Sequence, residues 1–393
     1  MAPIALDTPV IDAHPVNKLP KGITPYSQTP ETTADVDWAE LVNLDLSKFD
    51  LPGGKEALAQ QLKYAVHNVG FFYVSDFGIS QEEVDYQFHL SQEFFSLPLE
   101  EKLKYAANHK AASYNGYNGP HVYEADKTEH HPRHNIEVYN IPKFTPDFPA
   151  KETHPQLIQT NWDTIESFAK RVHTNVVERL MKIFAIVLEL EDEDYFAKKH
   201  DYEKKGEDHM RYMLYHSRSD EVNKEAKELY STGHTDLGSI TLLFRQPVAG
   251  LQILSKDGKY KWVKAVPGTI TVNIADTLSL LSGHYFKSSI HRVSVPPPDQ
   301  RHFDRHGILF FIRPNNDVLV EVVKNSPLLK REGVYETLEE REDPLDVATW
   351  VHERQKHIFA SGYKIVTPGE GQDGDERSNL EAVIAGVKVK YWN

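Results

Sequence analysis

The chain has 393 residues, 40% hydrophobic and 26% charged, a balance that builds a globular protein with a sizeable core. It holds no cysteine, which excludes disulfides, thiolate-ligated haem, iron–sulfur clusters and cysteine zinc sites, so any metal must use nitrogen and oxygen ligands. A formal net charge of −14 opposes nucleic-acid phosphates and no Lys/Arg block reverses it locally, so a small-molecule substrate and no nucleic-acid partner are expected.

No uncharged apolar run is long enough to span a membrane. The opening Met-Ala-Pro-Ile-Ala-Leu-Asp lacks a basic region followed by an apolar one, and the closing Lys390-Tyr391-Trp392-Asn393 carries no retention or peroxisomal address. These features predict a cytoplasmic protein with no membrane partner, a monomer or weak homodimer.

Residues 1–35, rich in Pro and Thr, read as an extended arm lying on the body or partly disordered. Asp37 to Leu46 predicts a first short strand. Leu58, Leu62, Val66 and Val69 fall at helical spacing, Gly70 suits the helix end, and Phe71-Phe72-Tyr73-Val74 reads as a buried strand. Ser80 with Glu83 forms a capping box that opens the next helix, and Pro98 begins a short one. Residues 113–120 and 126–134 read as loop, and Asn135 to Ile141 alternates as a strand. Ile165, Phe168, Val172, Val176, Leu180, Ile183, Val187 and Leu190 keep a three-or-four step, predicting one long amphipathic helix that backs a sheet.

From residue 207 the pattern changes to short strands separated by Gly, Pro and Asp. They are predicted at 210–215, 240–244, 251–254, 260–263, 269–274, 289–293, 308–312 and 318–322. That spacing predicts a mainly β protein with flanking helices, its core a double-stranded β-helix (jelly roll) at about 207–323 backed by the long helix. One domain over 36–365 is expected. Residues 346–360 form a final helix, and 366–393 form a C-terminal tail whose 367–378 stretch is expected to be mobile.

His234 and Asp236, two apart on a strand, would project from one face, and His291 follows 55 residues later, far enough to return on a neighbouring strand. Two histidines and one carboxylate with open positions suit non-haem Fe(II) and oxygen chemistry. Arg305 then leads into an apolar strand, where a buried guanidinium needs an anion and its planar fork fits a carboxylate.

The ordered motifs Gly70-Phe71-Phe72-Tyr73-Val74-Ser75-Asp76-Phe77-Gly78-Ile79, Met210-Arg211-Tyr212-Met213-Leu214-Tyr215, His234-Thr235-Asp236, Val272-Asn273-Ile274-Ala275-Asp276, His291-Arg292-Val293 and Arg305-x-Gly307 resemble those of the Fe(II)/2-oxoglutarate-dependent dioxygenases, specifically the isopenicillin N synthase-like branch. The likeness spans roughly 36–365. It implies that His234, Asp236 and His291 hold iron and that Arg305 with Tyr215 binds 2-oxoglutarate. The implied reaction converts 2-oxoglutarate and O2 to succinate and CO2 while a metabolite is hydroxylated, desaturated or cyclised, with ascorbate helpful and secondary metabolism the setting. Three positions depart from the usual pattern: Gly307 replaces a serine, Met213 an asparagine and Ala275 a glycine.

Arg133, Tyr114 and Asn115, in loops that the resemblance sets over the substrate, are candidates to face a substrate carboxylate or amide. His130, His131 and His134 read as solvated loop histidines, because no carboxylate at matching spacing accompanies them. Asn273 and Asp276 read as turn-shaping residues. Three other readings stay open: a 2-oxoglutarate-independent oxidase of isopenicillin N synthase type, an ethylene-forming enzyme, and a non-catalytic jelly-roll binding protein with a structural metal.

Overall fold

A computed structural model describes residue 26 and residues 28–108, 113–120, 135–148, 150–336, 344–361, 379–385 and 387–392. Its strands are β1 (Asn43–Asp45), β2 (Phe71–Ser75), β3 (Gly116–Asn118), β4 (Ile136–Pro142), β5 (His209–Tyr215), β6 (Leu229–His234) and β7 (Ile240–Phe244). They continue as β8 (Leu251–Leu254), β9 (Tyr260–Trp262), β10 (Thr269–Ile274), β11 (His291–Ser294), β12 (Arg305–Ile312), β13 (Asn379–Ile384) and β14 (Val387–Trp392). Eight pair in the order β1-β2-β10-β7-β12-β5-β4-β3, and four form a second sheet, β6-β11-β8-β9. This is the expected jelly-roll core with flanking helices.

Period-two alternation sorts the large sheet's side chains into two environments. Phe72, Val74, Tyr212, Leu214, Ile240, Leu242 and Phe244 face the helices and join the main core. Their neighbours face the small sheet: Met213 and Tyr215 meet Tyr230 and Val293, while Phe71 and Tyr73 meet Leu251 and Ile253. The chemistry-bearing residues lie in this second layer, between the sheets.

The long helix runs as Trp162–Val172 and Arg179–Val187, joined by a wider turn at His173–Glu178. Its aromatic rings pack on the outer face of the sheet, Phe168 against Phe244 at 5.3 Å and Phe184 against Phe72 at 6.5 Å between centroids. The helix Gly54–Tyr64, extended by Ala65–Val69, ends where Gly70 turns left-handed at φ +76°. A Cβ at Gly70 would stand 2.3 Å from the Lys287 carbonyl, so the helix-to-β2 turn requires glycine.

The described part of the N-terminal arm lies on the body. Glu31 pairs with Arg245 at 2.6 Å, and Thr32 and Thr33 bond Asp299. Residues 113–120 are not all loop, because β3 pairs with β4 there. Residues 318–322 form no strand. Val320 N–H donates to the Leu345 carbonyl and Val347 N–H to that of Val318, so the apolar alternation is used against the start of the helix Val347–Ser361. The helix Asp276–Leu281 and the hairpin β13–β14 have no counterpart among the elements expected from the sequence. The stretch 367–378 lies outside the described residues. Among those described, no helix is long and apolar enough to cross a membrane.

The capping box is present at the helix Gln81–Ser96: Ser80 accepts from Glu83 N–H, and the Glu83 carboxylate accepts from Ser80 N–H at 3.0 Å. That carboxylate also pairs with buried Arg171. Losing a cap hydroxyl costs about 1 kcal/mol, whereas leaving one partner of a buried ion pair alone costs roughly 3–5 kcal/mol. Ser80→Ala is therefore expected to lower unfolding free energy by about 1 kcal/mol in urea titration and Glu83→Ala by several times more. Equal losses would contradict the buried pairing.

Candidate metal and cosubstrate site

His234 ends β6 and His291 begins β11, and the antiparallel register of the two strands sets them directly opposite one another. Their ring centroids are 4.4 Å apart. Asp236 is not on the strand with His234 but in the turn after it, and it still arrives on the same side. Its Oδ1 lies 3.8 Å from each Nε2, and one ligand atom from each of the three residues falls within 4.8 Å of the others.

The turn is held by close backbone approach. A Cβ at Gly238 would stand 2.4 Å from the Ile312 carbonyl, to which Ser239 N–H donates at 2.7 Å. Thr241 Oγ1 and Asn273 Nδ2 both donate to Asp236 Oδ2, at 2.7 and 3.0 Å, leaving Oδ1 directed at the imidazoles. Asn273 thus sits in β10 and steers a carboxylate; it does not shape a turn. Each histidine is oriented through Nδ1, His234 on the Thr232 carbonyl at 2.9 Å and His291 on the Ser289 carbonyl at 3.1 Å. With Nδ1–H donating, assigned from those contacts, Nε2 keeps its lone pair for a metal.

The charges agree with that assignment. Burial pushes the Asp236 carboxyl up, but His291, His234 and the two side-chain hydrogen bonds outweigh it and hold it below the usual carboxylate range. Burial, with His234 beside it, pushes His291 down to about 4, so the ring is neutral near pH 7. A neutral imidazole facing an ionised carboxylate is the protonation state that metal binding requires. The residues present therefore fit a divalent iron.

Arg305 opens β12 opposite Tyr215 on β5 and is only 3% exposed. Its Nε donates to the Val248 carbonyl at 3.1 Å, and its guanidinium carbon lies 5.7 Å from the Tyr215 ring centre. Among the described residues no carboxylate forms an ion pair with it. Burial lowers its pKa, yet a guanidinium stays charged, so the site asks for an anion from outside. Gly307 and Met213 are cross-strand partners, so two of the three departures from the usual pattern fall on one patch of this wall.

Tyr114 reaches the site through its backbone: its carbonyl accepts from Asn140 Nδ2 at 2.6 Å, and Asn140 Oδ1 accepts from Arg211 Nε at 2.7 Å. Asn115 N–H donates to Ser113 Oγ at 3.3 Å. Arg133, like His130, His131 and His134, lies outside the described residues. Sequence reasoning missed His209 and Arg211, which share the inward face of β5 with Tyr215 at even spacing. His209 stacks on Phe311 at 4.9 Å, and Arg211 lies 4.4 Å from the same ring centre. Phe311 in turn pairs with Thr241, the residue that holds Asp236.

Two family models match, one described as non-haem dioxygenase in morphine synthesis N-terminal, over 41–161, and that of the 2OG-Fe(II) oxygenase superfamily, over 208–314. UPF0676 protein C1494.01 of Schizosaccharomyces pombe is 32% identical over 281 residues, covering 70% of this chain and 82% of that one. The 2-oxoglutarate-dependent dioxygenase frbH of Dothideomycetidae sp. is 28% identical, covering 73% and 86%. The crystal structure of a full-length Neurospora crassa protein in complex with alpha-KG and 5-formyluracil superposes with a TM-score of 0.68 at 25% identity, covering 84% of this chain and all of that one. The chain belongs to the 2OG-Fe(II) oxygenase superfamily. It is an oxidoreductase that acts on a small molecule with Fe(II), 2-oxoglutarate and O2.

Burial also depresses His154 to about 4 and His200 to about 3. For His154, His200 and His291 the folded pKa lies below the unfolded value near 6.5. The unfolded state then binds more protons, and stability present above about pH 6.5 is lost as pH falls through the folded values. Each group contributes up to about 1.4 kcal/mol per pH unit in that window. His216 opposes them, because Glu137 raises its pKa, but its side chain is 43% exposed and its weight is small. The urea midpoint of metal-free protein is expected to fall steadily from about pH 7 to about pH 5. A flat profile would mean that these rings are solvated.

Proposed function

We propose that His234, Asp236 and His291 are the Fe(II) ligands and that Arg305, with Tyr215 beside it, receives the distal carboxylate of 2-oxoglutarate. The observation that carries this reading is the pairing of a three-donor cluster, its open nitrogens already aimed, with a buried guanidinium that has no carboxylate partner among the described residues. Bound there, Fe(II) supplies the coupling of O2 and 2-oxoglutarate decarboxylation to oxidation of the substrate.

The protein's own part is placement. Arg305 neutralises the far end of the diacid, and the Tyr215 ring, stacked on Tyr230 at 5.5 Å, walls that end. Thr241 and Asn273 fix the rotation of Asp236, and Phe71, edge-on to His291 at 5.5 Å, covers that imidazole with an apolar ring. His234 is the more exposed histidine, with 43% of its side chain accessible, so approach from its side is the open route.

The substrate is proposed to be a small polar metabolite, in secondary metabolism, lying against Phe311, Arg211 and His209, with Tyr114 and Asn115 as further candidate contacts, and Arg133, outside the described residues, as a candidate from the sequence alone. His209 is 4% exposed, and its Nδ1 lies 3.1 Å from the Glu207 carbonyl. Its Nε2 has no hydrogen-bond partner among the described residues. Burial, then Arg313 and Arg211, pushes its pKa well down. A neutral ring with one bare nitrogen accepts a hydrogen bond, so an N–H or O–H group on the substrate matches it. The same reading takes the protein as cytoplasmic, and as a monomer or weak dimer.

Succinate release from purified protein given Fe(II), ascorbate and 2-oxoglutarate tests the reading. Asp236→Ala is expected to abolish it. Arg305→Met is expected to weaken 2-oxoglutarate binding by about 100-fold, as loss of a desolvated charge pair does, while Mn(II) binding persists. Asp236→Ala with wild-type turnover would sink the metal assignment. A metabolite screen for accelerated succinate release then identifies the substrate, and His209→Leu is expected to raise its KM about tenfold, the loss of one buried hydrogen bond.

A further inference from the structure

The helix Val347–Ser361 lies far along the chain from the metal cluster, but two of its side chains bond Asp276 and Thr277, the residues that hold the turn carrying Asp236. Arg354, 3% exposed, donates from Nη2 to Asp276 Oδ2 at 2.9 Å. That same oxygen accepts from Thr235 Oγ1 at 3.0 Å, and the other accepts from Ser288 Oγ at 2.8 Å. The Asp276 N–H donates to the carbonyl of Asp236 itself at 2.8 Å. One helical turn before Arg354, buried Trp350 donates from Nε1 to Thr277 Oγ1 at 3.1 Å. Thr277 passes the contact on, its hydroxyl donating to the Leu237 carbonyl at 2.6 Å and its N–H to that of Gly238 at 2.8 Å.

We infer that the C-terminal helix is part of the apparatus that positions the metal centre, with Arg354 a positioning residue that acts through Asp276 on Thr235 and Asp236. This rests on the proposal that His234, Asp236 and His291 hold the metal. Two independent grips meet on Asp236. Thr241 and Asn273 fix the carboxylate, and Asp276 fixes the backbone that carries it. The second grip is itself a buried anion close to another buried anion, and Arg354 is the cation that lets the two stand together. Without the guanidinium, Asp276 is an uncompensated charge. The turn relieves it by moving, which carries Asp236 Oδ1 away from the two imidazoles. Ligand-supporting contacts of this kind are worth about 10–100-fold in metal affinity.

Anaerobic Co(II) titration of the full chain, read by the visible absorption of the bound ion, tests this without turnover. Wild type is expected to bind one equivalent and Asp236→Ala to lose it. If neither binds, the metal reading beneath this proposal falls, and the proposal with it. Arg354→Met, folded by circular dichroism at the titration temperature, is expected to bind Co(II) about tenfold more weakly with a shifted absorption band, and Arg354→Lys to recover most of both. A folded Arg354→Met with wild-type affinity and band overturns the proposal, because a helix staple with no role at the site would behave that way. If Arg354→Met does not fold, Thr235→Val removes one contact to the same carboxylate and decides the matter: weaker Co(II) binding supports the latch, and unchanged binding overturns it.

Discussion

One antiparallel register, His291 opposite His234, sets where chemistry can happen in this chain. Shifting either strand by one residue would turn its histidine to the other face of the small sheet, and no local adjustment could restore it. Asp236 depends on that register as well. Its carboxylate sits in a poorly solvated place, where Thr241 and Asn273 donate to it. The three side chains are therefore mutually dependent: paired strands fix the two histidines, and hydrogen bonds from Thr241 and Asn273 fix Asp236 in its turn.

The layered architecture separates stability from function. Residues of β2, β5, β7 and β12 that face the helices form the main apolar core, while their alternate neighbours face the small sheet and carry Arg305, Tyr215, Arg211 and His209. Arg305 and His209 are both buried; among the described residues no carboxylate pairs with Arg305, and His209 Nε2 has no hydrogen-bond partner. Groups of that kind cost stability when left unmet, and they mark the wall where ligands of matching polarity gain most.

Much of this is legible in the chain because alternation and motif order survive without coordinates. His234, Asp236 and His291 are readable from their spacing, Arg305 from a charge entering an apolar run, and the long helix from its three-or-four step. Other features depend on contacts that no local pattern encodes. Residues 318–322 alternate like a strand, but their apolar side meets a helix and their backbone bonds to 345–347. Asn273 reads, from its neighbours, as a turn former, although its amide belongs to Asp236 across 37 residues. Arg354 lies in an ordinary helical stretch, and nothing in its surroundings hints at Asp276, 78 residues away. His209 could have been found by counting back from Tyr215 in twos along the inward face.

The central claim is that one metal and one diacid share the space between the two sheets. Crystals soaked anaerobically with Fe(II) and 2-oxoglutarate, with the metal located by anomalous scattering at the iron edge, test it most directly. The account predicts a single iron peak at bonding distance, roughly 2.0–2.2 Å by analogy with other nitrogen and oxygen ligand sites, from His234 Nε2, His291 Nε2 and Asp236 Oδ1, with the diacid's far carboxylate on Arg305. An iron peak elsewhere, or a diacid seated away from Arg305, would contradict it.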